Sequence, residues 1–531
     1  MEYQEQQGNI LDDGGKLEHG SKVSLHNGDL VTDLAAAEGN LTVLQAAKIY
    51  PKAIFWSLFY SMAVVMTGYG GQVILSLFAL PTFVDKYGTN IDGTQTLSAA
   101  WQTGLGMYTA GQVVGALIIG WVSERYGRRV SFLVCNVGCA GLFFMQFFAP
   151  SVGVLCAGEV LAGIPWGGFT MIAPLYAAEV SPVALRGILT AFINLAWIIG
   201  QLIGQGVTAG CQNMESEWSY KIPFAVQWAF CGLLFIGIPF SPESPWYLIR
   251  KGQKDAARKS LERLMSKNET INLDVLLDVI ERTDLMEFDM NSQSSYRDLF
   301  RGANRRRTEI TIMAYSAQTF SGITMSWYCN LFFSLAGLTT SQSFNLGVGN
   351  TAVGFVGTVL TFVLLSYVGR RPAFLGGLGL MTLTMFVIAF LDLSPSYNTN
   401  AGFSWGQSIL LIVWSFLYQL TVGPLAYVYI SEVPSTKLKA RSIALSSAVY
   451  FVTLIVSSVA MPYMINPQSG NMRGKVGFVF GGTSLICLIW GFFRIPETKS
   501  RTYAEIDYMF EMGVSARNFA TYRIDDSLEL Q

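Results

Sequence analysis

Charge is scarce in this chain. Only 13% of its 531 residues are charged, 51% are hydrophobic, and mean hydropathy is +0.39. A soluble domain carries roughly 25% charged residues. The charges present nearly cancel, 35 Lys and Arg against 36 Asp and Glu. No excess of one sign points to nucleic acid or an acidic partner. Histidine is almost missing: His19 and His26 both lie in the polar N-terminal stretch. A His-based metal site or catalytic triad is thereby excluded from the apolar part. None of the seven cysteines forms a CxxC pair. Cys135, Cys139, Cys156, Cys231, Cys329 and Cys487 sit in apolar runs, with Cys211 near a helix end. An odd count so placed argues against a disulfide framework and fits small core residues. The N-terminus lacks a basic segment followed by an apolar one, so no cleaved signal peptide is expected. No nucleophile–base pair stands out, so neither an enzyme nor a cofactor is expected.

Long apolar runs are what the chain has. A spanning helix needs about 20 apolar residues. Candidates fall near 53–80, 102–122, 130–149, 153–178, 187–209, 223–241, 309–336, 346–367, 372–392, 405–430, 441–464 and 475–494. This predicts an all-α membrane protein of twelve spans, six per half, over residues 51–245 and 309–496. Residues 1–50 read as a soluble, partly disordered tail, and 497–531 as a short polar one. The charge-dense stretch 246–308 shows helical periodicity at Ala256, Leu261, Leu264 and Met265, then Leu273, Leu276, Leu277 and Ile280. It is expected to be a cytosolic linker of amphipathic helices. Basic residues recur after every second span: Arg125, Arg128 and Arg129; Arg186; Arg250, Lys251, Lys254, Arg258 and Arg305–Arg307; Arg370 and Arg371; Lys437, Lys439 and Arg441. The loops near 84–100 and 393–404 are poor in them, with Arg473 and Lys475 a mild exception. The positive-inside rule then puts both termini in the cytosol. The sequons at Asn40 and Asn268 would be cytosolic and unused.

The two halves carry the same text. Gly127-Arg128-Arg129, Glu179-Val180-Ser181-Pro182 and Pro242-Glu243-Ser244-Pro245 return as Gly369-Arg370-Arg371, Glu432-Val433-Pro434-Ser435 and Pro496-Glu497-Thr498. A duplicated membrane bundle belongs mainly to secondary transporters, which hold substrate where the halves meet. Arg128, Arg129 and Arg186 fall at one end of the first half with Glu179 and Glu243. Arg370, Arg371 and Lys439 fall in matching places with Glu432 and Glu497. Such pairs suit a gate that closes and breaks as the halves rock, each exposed pair contributing about 0–1 kcal/mol. Membrane anchoring by the cations alone is the plainer alternative.

These motifs resemble the sugar porters of the major facilitator superfamily over residues from about 50 to 510. The match rests on Glu124-Arg125-Tyr126-Gly127-Arg128-Arg129, Tyr176-Ala177-Ala178-Glu179-Val180-Ser181-Pro182 with Leu185-Arg186-Gly187, Pro242-Glu243-Ser244-Pro245-Trp246-Tyr247-Leu248, Gln318-Thr319-Phe320-Ser321-Gly322-Ile323 and Pro496-Glu497-Thr498-Lys499. Tyr50-Pro51-Lys52-Ala53, Gly163-Ile164-Pro165-Trp166-Gly167 and Pro223-Phe224-Ala225-Val226-Gln227-Trp228 look like the fungal α-glucoside (maltose-type) permeases. The resemblance implies a plasma-membrane sugar transporter working by alternating access. Its expected partners are a sugar, the lipid bilayer and, as an open question, protons; a monomer is expected. A non-transporting sugar sensor, or a facilitator of a monosaccharide, polyol or quinate, is the alternative. Only about 35 residues follow Pro496, where sensors carry a long extension.

The site residues also follow from the resemblance. Asn194 and Gln318 match family amides. Thr319 and Thr324 stand where relatives have Gln and Asn, and Tyr427 where many have Trp. Asn350 and Gln419 are further polar candidates, and Trp327 and Tyr328 are aromatic ones. Amides supply the paired donors and acceptors that sugar hydroxyls need; each could instead bridge helices. The proton symporters carry acids in span one, in a Glu-Gly-Tyr-Asp pattern, and in span two. This chain has Thr67-Gly68-Tyr69-Gly70-Gly71-Gln72 and Gly111-Gln112 there. Glu159 is the one carboxylate left deep in an apolar run, and buried acids in membranes are costly and usually functional. Facilitated diffusion, or weak proton coupling through Glu159, is therefore expected; a polar interhelical contact is the alternative for Glu159.

Overall fold

The computed structural model describes residues 42–522, except 92–93, 267–272, 293–294, 396, 398–399, 500 and 502. Asn40, Asn268, His19 and His26 lie outside the described residues. The first half is built from span one (Pro51–Leu77), span two (Ala99–Gly106 and Tyr108–Tyr126), span three (Arg128–Phe147), span four (Val152–Val180), span five (Val183–Cys211) and span six (Trp218–Gly237). The second has span eight (Thr340–Tyr367), span nine (Arg370–Leu391), span eleven (Lys439–Ile465) and span twelve (Val476–Arg494), with spans seven and ten broken. Eleven helices among the described residues are long and apolar enough to cross a membrane. A two-stranded hairpin, Thr89–Ile91 against Thr94–Thr96, decorates the loop after span one.

Span seven was expected as one helix over 309–336 and is three pieces: Gly302–Phe320, Ile323–Trp327 and Cys329–Leu335. Gly322 adopts φ +103, a left-handed backbone that side chains resist. Thr483 donates its hydroxyl to the carbonyl of Phe320 at 2.6 Å, satisfying an acceptor at the break. Span ten was expected as one helix over 405–430 and is two, Ala401–Leu420 and Val422–Glu432. Pro424 has no N–H to offer Leu420 four residues back. Thr361 of span eight donates to the Leu420 carbonyl at 3.1 Å and to that of Gln419 at 2.9 Å. Breaks in membrane helices persist where neighbours re-satisfy the backbone in this way.

Glycines set the closest helix approaches. Gly111 and Gly115 of span two meet Gly163 and Gly167 of span four. A Cβ at Gly115 would lie 1.8 Å from the Ile164 carbonyl oxygen, and one at Gly163 2.2 Å from that of Tyr108. Spans one and five touch likewise: a Cβ at Gly200 would lie 2.0 Å from the Val65 carbonyl oxygen, and one at Gly68 2.3 Å from that of Trp197. Lipid tails give no hydrophobic drive between helices, so such van der Waals contact carries the packing.

Both presumed tails contain more order than the sequence suggested. Val43–Ile49 is a helix inside the stretch assigned to the N-terminal tail, opened by a Thr42–Gln45 capping box. After Lys499 the chain forms the helix Tyr503–Glu511 and buries Ile506, Met509, Phe510 and Phe519 against the bundle. Asp507 pairs with Arg307, and Arg307 also lies over the Phe510 ring at 4.8 Å. Between the halves, helices Pro245–Arg250, Lys254–Leu264 and Leu273–Ser292 share a small core of Leu248, Leu261, Leu276, Leu277 and Ile280.

Candidate functional site

A cleft with two lobes lies where the halves meet. The larger, about 370 Å³, is lined by Gln72, Ile198 and Gln201 from the first half. The second half adds Ile323, Ser326, Trp327, Asn350, Thr351, Gly354, Ser415, Tyr418 and Gln419. The smaller, about 210 Å³, shares Gln72, Gln201 and Trp327 and adds Gly68, Gly71, Leu75, Tyr108 and Trp197. The lining explains the broken helix: the short piece Ile323–Trp327 brings Ser326 and Trp327 to the cleft. Ser326 bridges Ser415 at 2.7 Å and accepts from the Asn350 amide at 3.2 Å. The Asn350 Oδ1 has no partner among the described residues.

At one end the cleft is covered. Asn330 donates to Gln205 at 2.9 Å, Asn466 to the Leu97 carbonyl at 2.9 Å, and Gln468 to Thr96. All of these bonds join the two halves, and all lie at the end away from the repeated charged motifs. Phe78 and Tyr328 meet just beneath them, centroids 5.9 Å apart.

The seven sequence-chosen binding residues divide. Asn350 and Gln419 line the cleft. Gln318 stands behind it, buried, accepting from the Tyr418 hydroxyl at 2.8 Å. Tyr418 lines the cleft, and its ring stacks on Trp414 at 5.4 Å, so Gln318 orients a wall residue. Thr319 is buried with no partner for its hydroxyl among the described residues, and Thr324 bonds Ser457 at 2.8 Å. Asn194 lies seven positions before Gln201 on the same face of span five, outside both lobes. Tyr427 is half-exposed beyond the span-ten break, edge-on to Tyr315 at 5.3 Å; Tyr315 stacks on Tyr450 at 4.5 Å.

The repeated charged text builds the same object twice. In the first half Glu243 accepts the backbone N–H groups of Arg128 and Arg129 at 3.0 and 3.2 Å. In the second Glu497 accepts those of Arg370 and Arg371 at 2.9 and 3.1 Å. Each carboxylate thus caps a helix N-terminus. The glycine before each cap leaves it room: a Cβ would lie 2.6 Å from the Glu243 Oε2 at Gly127, and 2.2 Å from the Glu497 Oε2 at Gly369. Tyr176 and Tyr429 donate to the carbonyls of Pro242 and Pro496 at 2.9 and 3.4 Å. Arg129 and Arg371 donate to the carbonyls of Pro239 and Phe492. Burial raises the Glu243 carboxyl above its ordinary range, against the pull of the backbone donors of Ser244, Arg129 and Arg128.

The copies differ in depth. Arg128 is fully buried and grips Glu179 through two bonds of 2.9 and 2.7 Å. Arg370 and Glu432 are each 22% exposed and 3.4 Å apart. The inter-half segment adds Arg250, 3.6 Å from Glu124 and 3.8 Å from Glu179. Arg186 lies over the Trp246 ring at 5.9 Å. Lys439 is the first residue of span eleven. Glu159 is 1% exposed, its Oε2 without a partner among the described residues, close enough to Tyr108 and Cys156 to interact electrostatically.

A family model described as sugar (and other) transporter matches residues 56–510. The chain belongs to that family. It is a multi-pass membrane transporter and no enzyme. The maltose permease MAL31 of Saccharomyces cerevisiae is 34% identical over 498 residues, covering 92% of this chain and 80% of the relative. The general alpha-glucoside permease of the same yeast is 34% identical over 505 residues, covering 94% and 81%. Among solved structures, the xylose transporter XylE from E. coli in a partially occluded inward open conformation superposes with TM-score 0.66. It is 21% identical and covers 85% of this chain and 99% of that one. The fold is that of the major facilitator superfamily, twelve helices in two pseudo-symmetric halves.

In this transporter several lining residues escaped the sequence reading. Gln201 was legible in principle, two helical turns from Asn194 on one face. Gly354 likewise shares a face with Asn350, one turn on. Tyr108, Trp197, Ser326 and Ser415 carried no signal distinguishing them from packing residues in an apolar run.

Proposed function

We propose that this protein carries α-glucosides such as maltose across the plasma membrane by alternating access. The observation that carries the reading is the cleft between the halves, with neutral amides and hydroxyls on one wall and indole and phenol rings beside them. Aromatic faces cover the CH faces of a sugar ring while amides bond its hydroxyls. The yeast relatives, a maltose permease and a general alpha-glucoside permease, support it. Domain limits follow the reading: residues 51–245 and 309–496 form the halves, and 246–308, 1–50 and 497–531 face the cytosol. The end joined by Asn330 and Gln205 is then the outer one, and the Arg–Glu clusters line the inner gate. The protein acts as a monomer. The test is uptake of labelled maltose, trehalose, sucrose and glucose in a transporter-null yeast. Uptake confined to glucose removes the α-glucoside reading.

Asn350→Ala should weaken maltose affinity. One lost hydrogen bond is worth roughly 0.5–1.5 kcal/mol. Unchanged affinity and rate for every disaccharide would take Asn350 out of the site.

Coupling is proposed to be absent, or weak and carried by Glu159. Thr67, Gly70 and Gln112 cannot change charge where the symporters carry acids. Glu159 is buried with its Oε2 unpartnered among the described residues, and Tyr108, which lines the cleft, lies within electrostatic range of it. A charge moved through 100 mV is worth about 2.3 kcal/mol, so a true symporter accumulates sugar far past equilibrium. Sealed vesicles with an imposed pH gradient and a non-metabolised substrate decide it. Little accumulation is expected, and Glu159→Gln should abolish what there is. Accumulation persisting in that variant removes Glu159 as carrier. Strong wild-type accumulation that collapses in it overturns the facilitator reading.

A further inference from the structure

Span twelve carries an apolar stripe that ends on two cations. Ile486, Ile489 and Phe493 are spaced by three and four residues, so they share one face of Val476–Arg494, and each is more than half exposed. In a membrane transporter such a face meets acyl chains. Two guanidiniums close the stripe at the end that carries the repeated charged motifs. Arg517 lies over the Phe492 ring at 4.6 Å and the Phe493 ring at 4.8 Å. Arg371, the second residue of span nine, lies over Phe492 at 5.9 Å and donates to its carbonyl at 2.8 Å. Its Nε has no partner among the described residues. The rings position both cations without neutralising them. The carboxylates of the surrounding elements are engaged elsewhere. Glu497 accepts the backbone N–H groups of Arg370, Arg371 and Lys499. Glu309 pairs with Arg494, Asp507 with Arg307 and Glu505 with Arg501. Arg517 sits in the turn Ala516–Asn518, in a segment fastened on both sides. Arg306 donates to the Val514 carbonyl at 2.6 Å, and Arg501 to those of Phe519 and Tyr522 at 3.3 and 2.5 Å.

We infer that this corner of the second half binds an anionic phospholipid, its phosphate on Arg371 and Arg517 and an acyl chain along Phe493, Ile489 and Ile486. A guanidinium matches two phosphate oxygens with its planar fork. Basic pockets between spans take acidic headgroups in this way. A zwitterionic lipid offers the same phosphate but brings its own cation, which the two arginines repel. Free phosphate offers the charge but nothing for the apolar stripe, so the stripe favours the lipid. The inference does not depend on which sugar is carried.

The experiment uses the full chain purified in a neutral detergent. It is titrated with phosphatidylserine or phosphatidylcholine, with and without inorganic phosphate, and bound lipid is counted by native mass spectrometry. The wild type is expected to hold phosphatidylserine at least about tenfold more tightly than phosphatidylcholine, since two arginines contribute. Arg517→Ala should weaken phosphatidylserine by about fivefold, the worth of one arginine near an anionic surface, and leave phosphatidylcholine unchanged. Arg517→Lys should keep part of the affinity, as a charge without the fork. Arg517 is exposed, so these variants should match the wild type in gel filtration. Arg125→Ala is the control for basic charge in general. That cation lies over Trp121 and Tyr126 in the first half, at 5.5 and 5.6 Å, and its loss should leave phosphatidylserine binding as it was. Equal affinity for the two lipids, or equal losses in Arg517→Ala and Arg125→Ala, overturns the inference. Displacement of phosphatidylserine by an equal concentration of inorganic phosphate marks a free-anion site and overturns the lipid as its occupant.

Discussion

Glu179→Ala is expected to cost about 3–5 kcal/mol of stability, the usual penalty for breaking a buried ion pair from one side. Arg128 is fully buried and Glu179 is 6% exposed. Removing the carboxylate leaves a guanidinium with no water to replace it; Glu124 is an exposed partner and a poor substitute. The matching change in the second half, Glu432→Ala, should cost far less, since that pair is longer and water reaches both members. The measurement is thermal unfolding of the purified full chain in detergent. The double variant Arg128→Met with Glu179→Leu should recover much of the loss, because no charge is then stranded. If Glu432→Ala destabilises as much as Glu179→Ala, depth is not what separates the two copies.

Gly115→Leu should abolish folded protein at the membrane. The new Cβ would sit 1.8 Å from a backbone carbonyl oxygen of span four. Overpacking usually costs about 1–3 kcal/mol because side chains yield; here two helix backbones would have to part. The nearby contacts at Gly111, Gly163 and Gly167 would be lost with it. Gly138→Leu is the control, since no described residue lies within 4 Å of a Cβ there. Surface level and gel-filtration profile of a fluorescent fusion report both. Two equally well-folded variants would show that the span-two and span-four glycines do not hold that contact.

The contrast between these glycines illustrates what a single sequence hides. Most spans are apolar all round, so no polar stripe marks which face turns inward. Gly115 and Gly138 look alike until span four is in place. The same holds for the amides. Gln318 and Asn350 are both lone polar residues in apolar runs, yet one props Tyr418 from behind and the other lines the cleft. Helix rotation decides between them, and rotation is set by close contacts between segments far apart in the chain.

The number of spans, the duplication and the pairing of repeated motifs are legible in the amino-acid sequence alone. Those depend on composition, length and identical text, which are local properties. Glu243 and Glu497 could be paired in reasoning because both copies carry the same neighbours. Where spans seven and ten break depends on the packed bundle, since Thr483 and Thr361 on other helices satisfy the freed carbonyls. It alone made Arg128–Glu179 a buried pair and Arg370–Glu432 a wetter one, and it alone opened a second lobe beside Tyr108. A buried charge, an orphan carbonyl and a cavity are each defined by what surrounds them. What surrounds them comes from elsewhere in the chain.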